Sequence, residues 1–272
     1  MHATTIPTSQ IYYIDSDRRI TGTHSNFTHS VALPAHNEFN SCCVLQAKIP
    51  KSYWSIPTGK SHFTVTETDA TPHTYTVTLD PGNYTRRGLA TQLSAKLTAA
   101  SAAHGLSLVY VTTVPNTSTT ADTGKFTITC TTAVATAISF TMSEWLSPAQ
   151  QLGFDTGATV DFTFAGGVAT LTSTNVCNLQ SLDSVFIRSD IAFNGNGSML
   201  GEGSILQEVF SNSPDFSSLI FQVGAAGGVD ACRKQLRSNH INSASFILTD
   251  EHGVELDMNG QSTVISLLCW KA

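Results

Sequence analysis

Residues 11–67 carry the pattern that decides the fold, and they read IYYIDSDRRITGTHSNFTHSVALPAHNEFNSCCVLQAKIPKSYWSIPTGKSHFTVTE. Short apolar runs alternate here with polar stretches that contain Gly, Pro, Asn or Asp; the runs are 11–14, 27–33, 42–49 and 63–65. Runs of this length between turn-forming residues are typical of antiparallel strands. The run at 42–49 is the most apolar, which predicts a strand buried on both faces. Pro50 ends it, because proline cannot donate the next ladder hydrogen bond.

A helical pattern replaces the strands only in the middle of the chain. Leu89, Leu93 and Leu97 recur at i, i+4 and i+8, which predicts an amphipathic helix over residues 86–103 that Gly105 ends. A second, short helical turn is predicted with Pro148 as its first residue and Gly153 as its stop. Alternating segments around these helices predict further strands, at 61–67, 73–79, 106–113, 125–131 and 138–142.

The part of the chain after residue 160 returns to strands separated by irregular loops, beginning with a predicted strand at 161–164. Strands without intervening helices cannot form a parallel α/β sheet, so two antiparallel sheets packed face to face are expected. The fold class is therefore mainly β, an antiparallel β-sandwich built as a single jelly roll with an α/β insertion. We predict an N-terminal arm at 1–10, a jelly-roll domain at 11–72 and 161–272, and the α/β insertion at 73–160.

The charge of the chain argues against several classes of partner. Charged residues are 12% of the 272 residues, against a usual share of about 25%, and the net charge is −6. The densest basic segments, Arg86-Arg87 and residues 233–237, are too short to neutralise a series of phosphates, so no direct nucleic-acid binding is expected. No run reaches the length of a membrane span, and residues 1–10 lack the features of a signal peptide, so we expect neither a membrane span nor a secretion signal.

The six cysteines lie at 42, 43, 130, 177, 232 and 269, with no C-x-x-C spacing and no zinc-like spacing to histidine. Cys42 and Cys43 are adjacent in a strand, so their side chains point to opposite faces and are poorly placed to bridge each other. The pattern indicates small buried side chains in a reducing compartment.

Two segments resemble nucleotide-binding loops but lack the structural context that such loops require. Thr58-Gly59-Lys60-Ser61 lacks the earlier glycine and the following helix of a phosphate loop, and a polar turn is predicted. The glycine-rich segments 195–197 and 224–228 do not stand between a strand and a helix, which excludes the dinucleotide fingerprint.

Histidines and carboxylates give the remaining candidates. His24, His29 and His36 would bind a metal only if folding brought them together, and Asp15 with Asp17 is predicted to form a charged turn. The acidic group around a predicted hairpin is expected to be a solvated turn rather than a cation site; it comprises Asp250, Glu251, Glu255 and Asp257. No nucleophile–base pattern appears, so we predict no enzyme, no catalytic residue, no cofactor and no metal.

Several blocks of the sequence, in order, resemble those of the penton or minor capsid proteins of polinton-like viruses, virophages and related double-jelly-roll DNA viruses. The opening block has Ile14-Asp15-Ser16, Arg18-Arg19-Ile20, Gly22 and Asn26-Phe27. Later blocks are 44–53, 63–67, Pro81-Gly82-Asn83-Tyr84, Leu152-Gly153-Phe154, 186–190, 245–250 with Gly253, and 256–260. The resemblance extends over most of the chain.

This resemblance implies a structural virion protein, a penton subunit that forms homopentamers at the fivefold vertices of an icosahedral capsid. Its expected partners are trimers of a double-jelly-roll major capsid protein and other minor capsid proteins, and its expected location is the capsid, assembled inside the host cell. Two alternatives stay open at this point. One is another viral β-structural protein, such as a spike base or a shell jelly-roll subunit, and the other is a carbohydrate-binding β-sandwich.

Overall fold

The structure is a computed structural model that describes residues 8–33, 38–114, 121–131, 134–143, 148–180, 182–193, 205–226 and 228–272. The chain folds into two compact units. The first unit comprises Met1–Tyr53 and Leu182–Ala272, and the second is Trp54–Ser181. The second unit is therefore inserted into the sequence of the first.

Where the structure describes it, the first unit is built from strands and from turns of 3-10 helix at Ser16–Arg18 and Val223–Ala226. Before the insertion its strands are β1 (Ser9–Asp15), β2 (Thr21–Gly22), β3 (Asn26–Leu33) and β4 (Ser41–Pro50). The second unit contains β5 (His62–Thr68), β6 (Pro72–Thr78), α1 (Arg86–His104), β7 (Val109–Thr113), β8 (Thr127–Thr131), β9 (Ala137–Thr141), α2 (Ala149–Leu152), β10 (Thr159–Asp161), β11 (Thr163–Ala165) and β12 (Val168–Thr172). The first unit then resumes with β13 (Ser184–Ser189), β14 (Ile205–Phe210), β15 (Ser218–Gln222), β16 (Lys234–Gln235), β17 (Ile241–Thr249) and β18 (Val264–Trp270).

The first unit is a jelly roll. One sheet has the order β1-β18-β4-β15, with β16 also paired to β4, and the other has the order β14-β13-β17-β3-β2. All of the strand pairs are antiparallel. If the eight long strands are lettered B to I along the chain, the sheets read B-I-D-G and F-E-H-C, which is the double Greek key of a jelly roll. The predicted fold class, a mainly β sandwich with a single jelly roll, is confirmed.

The core of the jelly roll lies between these two sheets, and strand β3 shows the underlying pattern. Phe27, Val31 and Leu33 are buried and face inward, while their neighbours along the strand are exposed or half-buried. Phe27 stacks on Phe246 of β17, with ring centroids 5.7 Å apart. The alternation of side chains across a pleated strand thus converts the sequence pattern directly into one buried face per sheet.

Strand β4 is less deeply buried than its sequence predicts. Cys42, Cys43 and Val44 are fully buried, but the strand alternates between buried and exposed residues from Ala47 onward. The register with β18 shifts at this point, since Ser266 pairs with Gln46 and Leu267 with Val44. Leu45 is therefore the extra residue of a β-bulge and is half-buried. The prediction of burial on both faces was correct for the first part of the strand and wrong for the rest.

The second unit has two four-stranded antiparallel sheets, with the orders β10-β9-β5-β6 and β11-β12-β8-β7. Its hydrophobic core includes Leu89, Leu93 and Leu97 of α1, as the helical periodicity predicts. The Thr85 hydroxyl caps this helix by accepting a hydrogen bond from the Gly88 N–H at 3.1 Å. Among the described residues, no helix combines the length and apolarity that crossing a bilayer requires.

The boundaries between the two units differ from the predicted ones. The unit inserted into the jelly roll begins at Trp54 rather than at residue 73, and it ends at Ser181 rather than at residue 160. Strands β5 and β12 belong to it because they pair with β6, β9, β11 and β8, and not with jelly-roll strands. Alternation along a strand shows which face is buried, but it does not show which sheet the strand joins.

Three local predictions also need correction. Pro148 is the N-cap of α2, not its first helical residue, whereas Gly153 does end the helix in the left-handed conformation, with φ 76°. The predicted strand at 161–164 is interrupted at Phe162, which is buried and separates β10 from β11. Of the predicted N-terminal arm, residues 1–7 lie outside the described residues, while Ser9 and Gln10 already belong to β1.

Candidate functional site

The loops that follow β1 and β17 meet at one end of the jelly roll. Ser16 is fully buried there, and its backbone N–H donates to the carbonyl of Thr263 at 3.0 Å. The Thr263 N–H donates in turn to the Ser16 hydroxyl oxygen at 2.9 Å. These two bonds tie the 3-10 turn after β1 to the residue that precedes β18.

A serine, a histidine and an aspartate lie close together in this region, but they do not form a catalytic relay. The Ser16 Oγ is 3.2 Å from His24 Nδ1, and Asp17 Oδ1 is 3.6 Å from the same ring nitrogen. A relay needs the nucleophile and the carboxylate on different nitrogens of the imidazole. Since Ser16 is also fully buried, the group stabilises the loop and offers no accessible nucleophile.

Glu255 joins the two loops. Its Oε1 accepts hydrogen bonds from Ser25 Oγ at 2.8 Å and from Thr23 Oγ1 at 3.2 Å, and its Oε2 accepts from Asn26 Nδ2 at 3.0 Å. Beside it lies an open cavity of about 310 Å³, lined by Thr23, His24, Ser25, Glu255, Leu256, Asp257, Met258 and Gly260. The lining carboxylates are already engaged within the loops, because Asp257 Oδ1 accepts from the Asn259 N–H at 2.9 Å.

The three histidines considered as metal ligands are not brought together. His24 lies in the loop described above, and His29 is buried in β3, where its Nδ1 is 2.8 Å from the carbonyl of Ser30. His36 lies outside the described residues. No group of three or more metal-ligating side chains occurs in the part of the chain that the structure describes.

The sequence predicted that Asp250 would lie in a solvated turn, and this prediction was wrong. Its side chain is buried, at 4% exposure. Its Oδ1 accepts hydrogen bonds from the backbone N–H groups of His252 at 2.9 Å and Val254 at 2.8 Å. The carboxylate therefore takes the place of a backbone acceptor and holds the turn closed. Glu251 remains exposed, in agreement with the prediction.

The remaining candidates have structural surroundings. Residues 58–61 form a turn in which the Lys60 N–H donates to Pro57 at 3.0 Å, and strand β5, not a helix, follows. Arg86 is paired with Asp122, and Arg237 lies 3.9 Å from Asp190. The segment 195–197 lies outside the described residues, as does Gly227. Asp15 accepts from the Asp17 N–H at 2.9 Å and caps the 3-10 turn.

A buried carboxylate that the sequence analysis missed lies at the centre of the second unit. Glu67 is 0% exposed, and its Oε1 accepts hydrogen bonds from the hydroxyls of Tyr75 at 2.6 Å and Tyr110 at 2.7 Å. Its Oε2 accepts from Ser101 Oγ at 2.9 Å and from the Leu106 N–H at 2.7 Å. Four donors thus satisfy the buried charge, and they come from β6, β7, α1 and the segment that follows α1.

The same group perturbs its tyrosines and restricts one backbone position. Burial, followed by the hydrogen bond to Glu67, raises the pKa of Tyr75 well above its ordinary value. Burial and the neighbouring Tyr75 do the same to the pKa of Tyr110. A Cβ atom at Gly105 would lie 2.2 Å from Glu67 Oε2, so only glycine allows this close approach of the chain.

Helix α1 closes the free edge of strand β7 with three hydroxyl groups. Ser94 Oγ accepts from the Thr112 N–H at 2.7 Å, and Thr98 Oγ1 accepts from the Tyr110 N–H at 3.0 Å. Ser101 Oγ accepts from the Leu108 N–H at 2.8 Å. We call these three side chains the hydroxyl ladder. It occupies the backbone donors with which an open edge would recruit another strand.

The outer faces of the second unit are covered by threonines. On one sheet these are Thr64, Thr66, Thr68, Thr74, Thr76, Thr78, Thr141 and Thr159, and on the other they are Thr113, Thr127, Thr129, Thr131, Thr163, Thr170 and Thr172. Some form cross-strand pairs, as Thr66 does with Thr74 at 3.0 Å and Thr141 with Thr159 at 3.1 Å. These two faces therefore carry few charges, and on the second of them the exposed Val109 and Val111 of β7 lie beside Thr131 and Thr129.

The outer face of the β1-β18-β4-β15 sheet is more apolar. Tyr13 is 73% exposed and Ile220 is 57% exposed, and Ile11 and Val264 are also open to solvent. Lys48 lies between Val264 and Ile220 in one cross-strand row. We call these four apolar residues the outer apolar face. Exposed apolar groups that cluster on one face of a sheet are candidates for contact with another protein surface.

Comparison with known proteins gives structural likenesses but no sequence match. No protein family and no curated protein matches the sequence. The chain is similar in structure to the crystal structure of the selenomethionine-labelled mavirus penton protein, at 15% sequence identity and a TM-score of 0.46. The match covers 96% of this chain and 98% of that chain.

Proposed function

We propose that this chain is a structural virion protein, a penton subunit that forms homopentamers at the fivefold vertices of an icosahedral capsid. The observation that carries the proposal is the complete eight-strand jelly roll, interrupted between its third and fourth long strands by a separate compact unit. The ordered sequence blocks that resemble penton proteins lie in both units. Its partners would then be trimers of a double-jelly-roll major capsid protein and other minor capsid proteins.

The described side chains support a non-enzymatic role. Carboxylates near the loops and in the second unit are engaged in hydrogen bonds that hold the fold: Glu255 does so at the surface, and Asp250 and Glu67 do so in buried positions. A subunit of a closed ring needs rigid sheets and a surface that meets a different surface of its neighbour. The outer apolar face is the surface that we assign to contact with a second copy of the chain.

The direct test is the oligomeric state of the full-length protein by native mass spectrometry, together with its position in a virion map. We expect a pentamer and density at the fivefold vertex. Tyr13→Lys and Ile220→Lys should shift the pentamer to monomer without changing the melting temperature of the monomer, because both side chains are largely exposed. Thr129→Lys, on a threonine-covered face, is the matched control and should leave the pentamer intact.

The alternatives predict different results. A stable trimer, or density on the hexagonal faces of the capsid, would indicate a shell subunit or spike base and would exclude the penton assignment. Specific binding on a glycan array, with no assembly, would favour the carbohydrate-binding sandwich.

A further inference from the structure

Cys42 and Cys269 stand directly opposite each other in the jelly roll. They are register partners on the antiparallel strands β4 and β18. Both are 0% exposed, and both belong to the hydrophobic cluster between the two sheets, so their side chains point to the same side. Neither thiol is bonded to another cysteine in this structure.

The hydrogen bonds around the two cysteines define the type of pair that they form. The Lys271 N–H donates to the carbonyl of Thr8 at 3.1 Å, on the side of β1. Because the backbone groups of every second residue in a strand point to the same side, the N–H and C=O of Cys269 also point toward β1. On the other strand, the carbonyl of Asn40 accepts from the Leu236 N–H at 2.9 Å, on the side of β16. The N–H and C=O of Cys42, two residues further along, therefore also point toward β16. Between β4 and β18 the two cysteines are therefore a non-hydrogen-bonded pair.

Such pairs are the closer of the two kinds in an antiparallel ladder. Their Cα atoms lie about 4.5 Å apart, within the range of about 4.4 to 6.8 Å that a disulfide spans. This spacing is compatible with a disulfide between the two strands in their present register. Cys43 is excluded from this arrangement, because it points to the opposite face of β4.

We propose that Cys42 and Cys269 form a cross-strand disulfide when the folded protein meets a disulfide oxidant of the glutathione type. The two thiols are oxidised to one S–S bond, while the S–S bond of glutathione disulfide breaks and its two halves take up the two hydrogens as glutathione thiols. The bond would join the third long strand of the jelly roll to its last one. This inference does not depend on the proposed capsid role.

The chemistry of the site indicates that the bond forms slowly. Burial, with a smaller contribution from Cys43, raises the pKa of the Cys42 thiol to about 12. Burial likewise raises the pKa of Cys269. Only the thiolate attacks a disulfide, so a buried thiol reacts when the strand ends open transiently. The protein can therefore stay reduced in a reducing compartment and become cross-linked after it leaves that compartment.

The test compares the reduced full-length protein with protein incubated in, and separately refolded in, a buffer that contains glutathione disulfide. After free thiols are blocked, tryptic digestion without reduction separates Cys269, in fragment 238–271, from Cys232, in fragment 189–233. Cys42 and Cys43 share fragment 20–48, so variants must distinguish them. We expect fragment 20–48 linked to 238–271 in the wild type and in Cys43→Ala, and a melting temperature several degrees higher after oxidation.

The cross-link should be lost in Cys42→Ala and in Cys269→Ala. The melting temperature of each variant under reducing conditions shows that the variant is folded. The proposal is overturned if refolding in the oxidant, where burial no longer limits access, gives no such linkage. It is also overturned if fragment 20–48 is linked to 189–233 instead, or if Cys43→Ala abolishes the linkage.

Discussion

The four-donor arrangement around Glu67 makes a quantitative prediction about the second unit. Tyr75→Phe and Tyr110→Phe each remove one hydroxyl without creating a cavity, and each removes one of the two donors to Glu67 Oε1. A hydrogen bond to a charged group contributes about 1.5 to 3 kcal/mol, so each single variant should lose about 2 kcal/mol of unfolding free energy. The first substitution leaves one donor on that oxygen, and the second leaves none.

The double variant should therefore lose more than the sum of the two singles. With both hydroxyls gone, a buried carboxylate oxygen has no partner, and breaking a buried charge network costs on the order of 3 to 5 kcal/mol. We expect a coupling energy of about 1 to 3 kcal/mol between the two tyrosines, within the range seen for residues that share one network. The sign follows from the geometry, because Ser101 and the Leu106 N–H bind the other oxygen.

Hydrogen–deuterium exchange of the full-length protein measures this directly, since the slowest amides of α1 report opening of the second unit. A loss of about 2 kcal/mol accelerates their exchange about 30-fold. Tyr84→Phe is the matched control, because the Tyr84 hydroxyl donates to the carbonyl of Asp80 at the surface. Additive effects within about 0.5 kcal/mol would falsify the claim that the two hydroxyls hold one buried charge.

Four further predictions follow from features of the two units. Tyr75 and Tyr110 have raised pKa values in the folded protein, so on raising the pH the unfolded chain loses these two protons first. Their contribution to the unfolding free energy is complete below about pH 10, and above it the unfolding free energy should fall by about 2.7 kcal/mol per pH unit, as measured by denaturant titration. Val44→Asp should abolish soluble expression by burying an unpaired charge, whereas Leu45→Asp, at the half-buried bulge, should still give folded protein; equal solubility of the two would contradict the assigned register. Ser94→Ala with Thr98→Val should expose backbone donors of β7 and produce concentration-dependent association in sedimentation velocity, while the melting temperature falls. Removal of divalent cations with EDTA should leave the melting temperature unchanged, and a large fall would reveal a structural metal.

Much of the jelly roll could be predicted from the sequence, because each strand of a two-layer sandwich buries one face, and the residues of that face are apolar at every second position. Strand β3 is the clearest example, and the leucines of α1 show the same principle at helical spacing. The limits of the insertion could not be predicted in this way. Strand β5 alternates as a jelly-roll strand would, and only its partners β6 and β9 reveal that it belongs elsewhere.

Glu67 and Asp250 show that residue type alone predicts burial poorly, whereas the position of a residue in a strand can predict it. Glu67 follows Phe63 and Val65 at the same alternating spacing, so the pattern itself indicates that it faces inward. Its four donors lie 8, 34, 39 and 43 residues along the chain from Glu67, and no local rule could assemble them. Asp250 begins an acidic turn, which predicts an exposed side chain. The carboxylate at the start of a turn can instead accept hydrogen bonds from the backbone N–H groups of that turn and become buried, as it does here.

The hydroxyl ladder also fixes how α1 can move. A helix held only by apolar contacts can rotate or slide by a fraction of a turn, because leucines repack at modest cost. Ser94 and Thr98 each accept a hydrogen bond from a different backbone amide of β7, and Ser101 accepts one from Leu108, the residue before that strand. A displacement of α1 by one residue in either direction therefore breaks all three hydrogen bonds at once. The second unit is thereby resistant to shear along this edge.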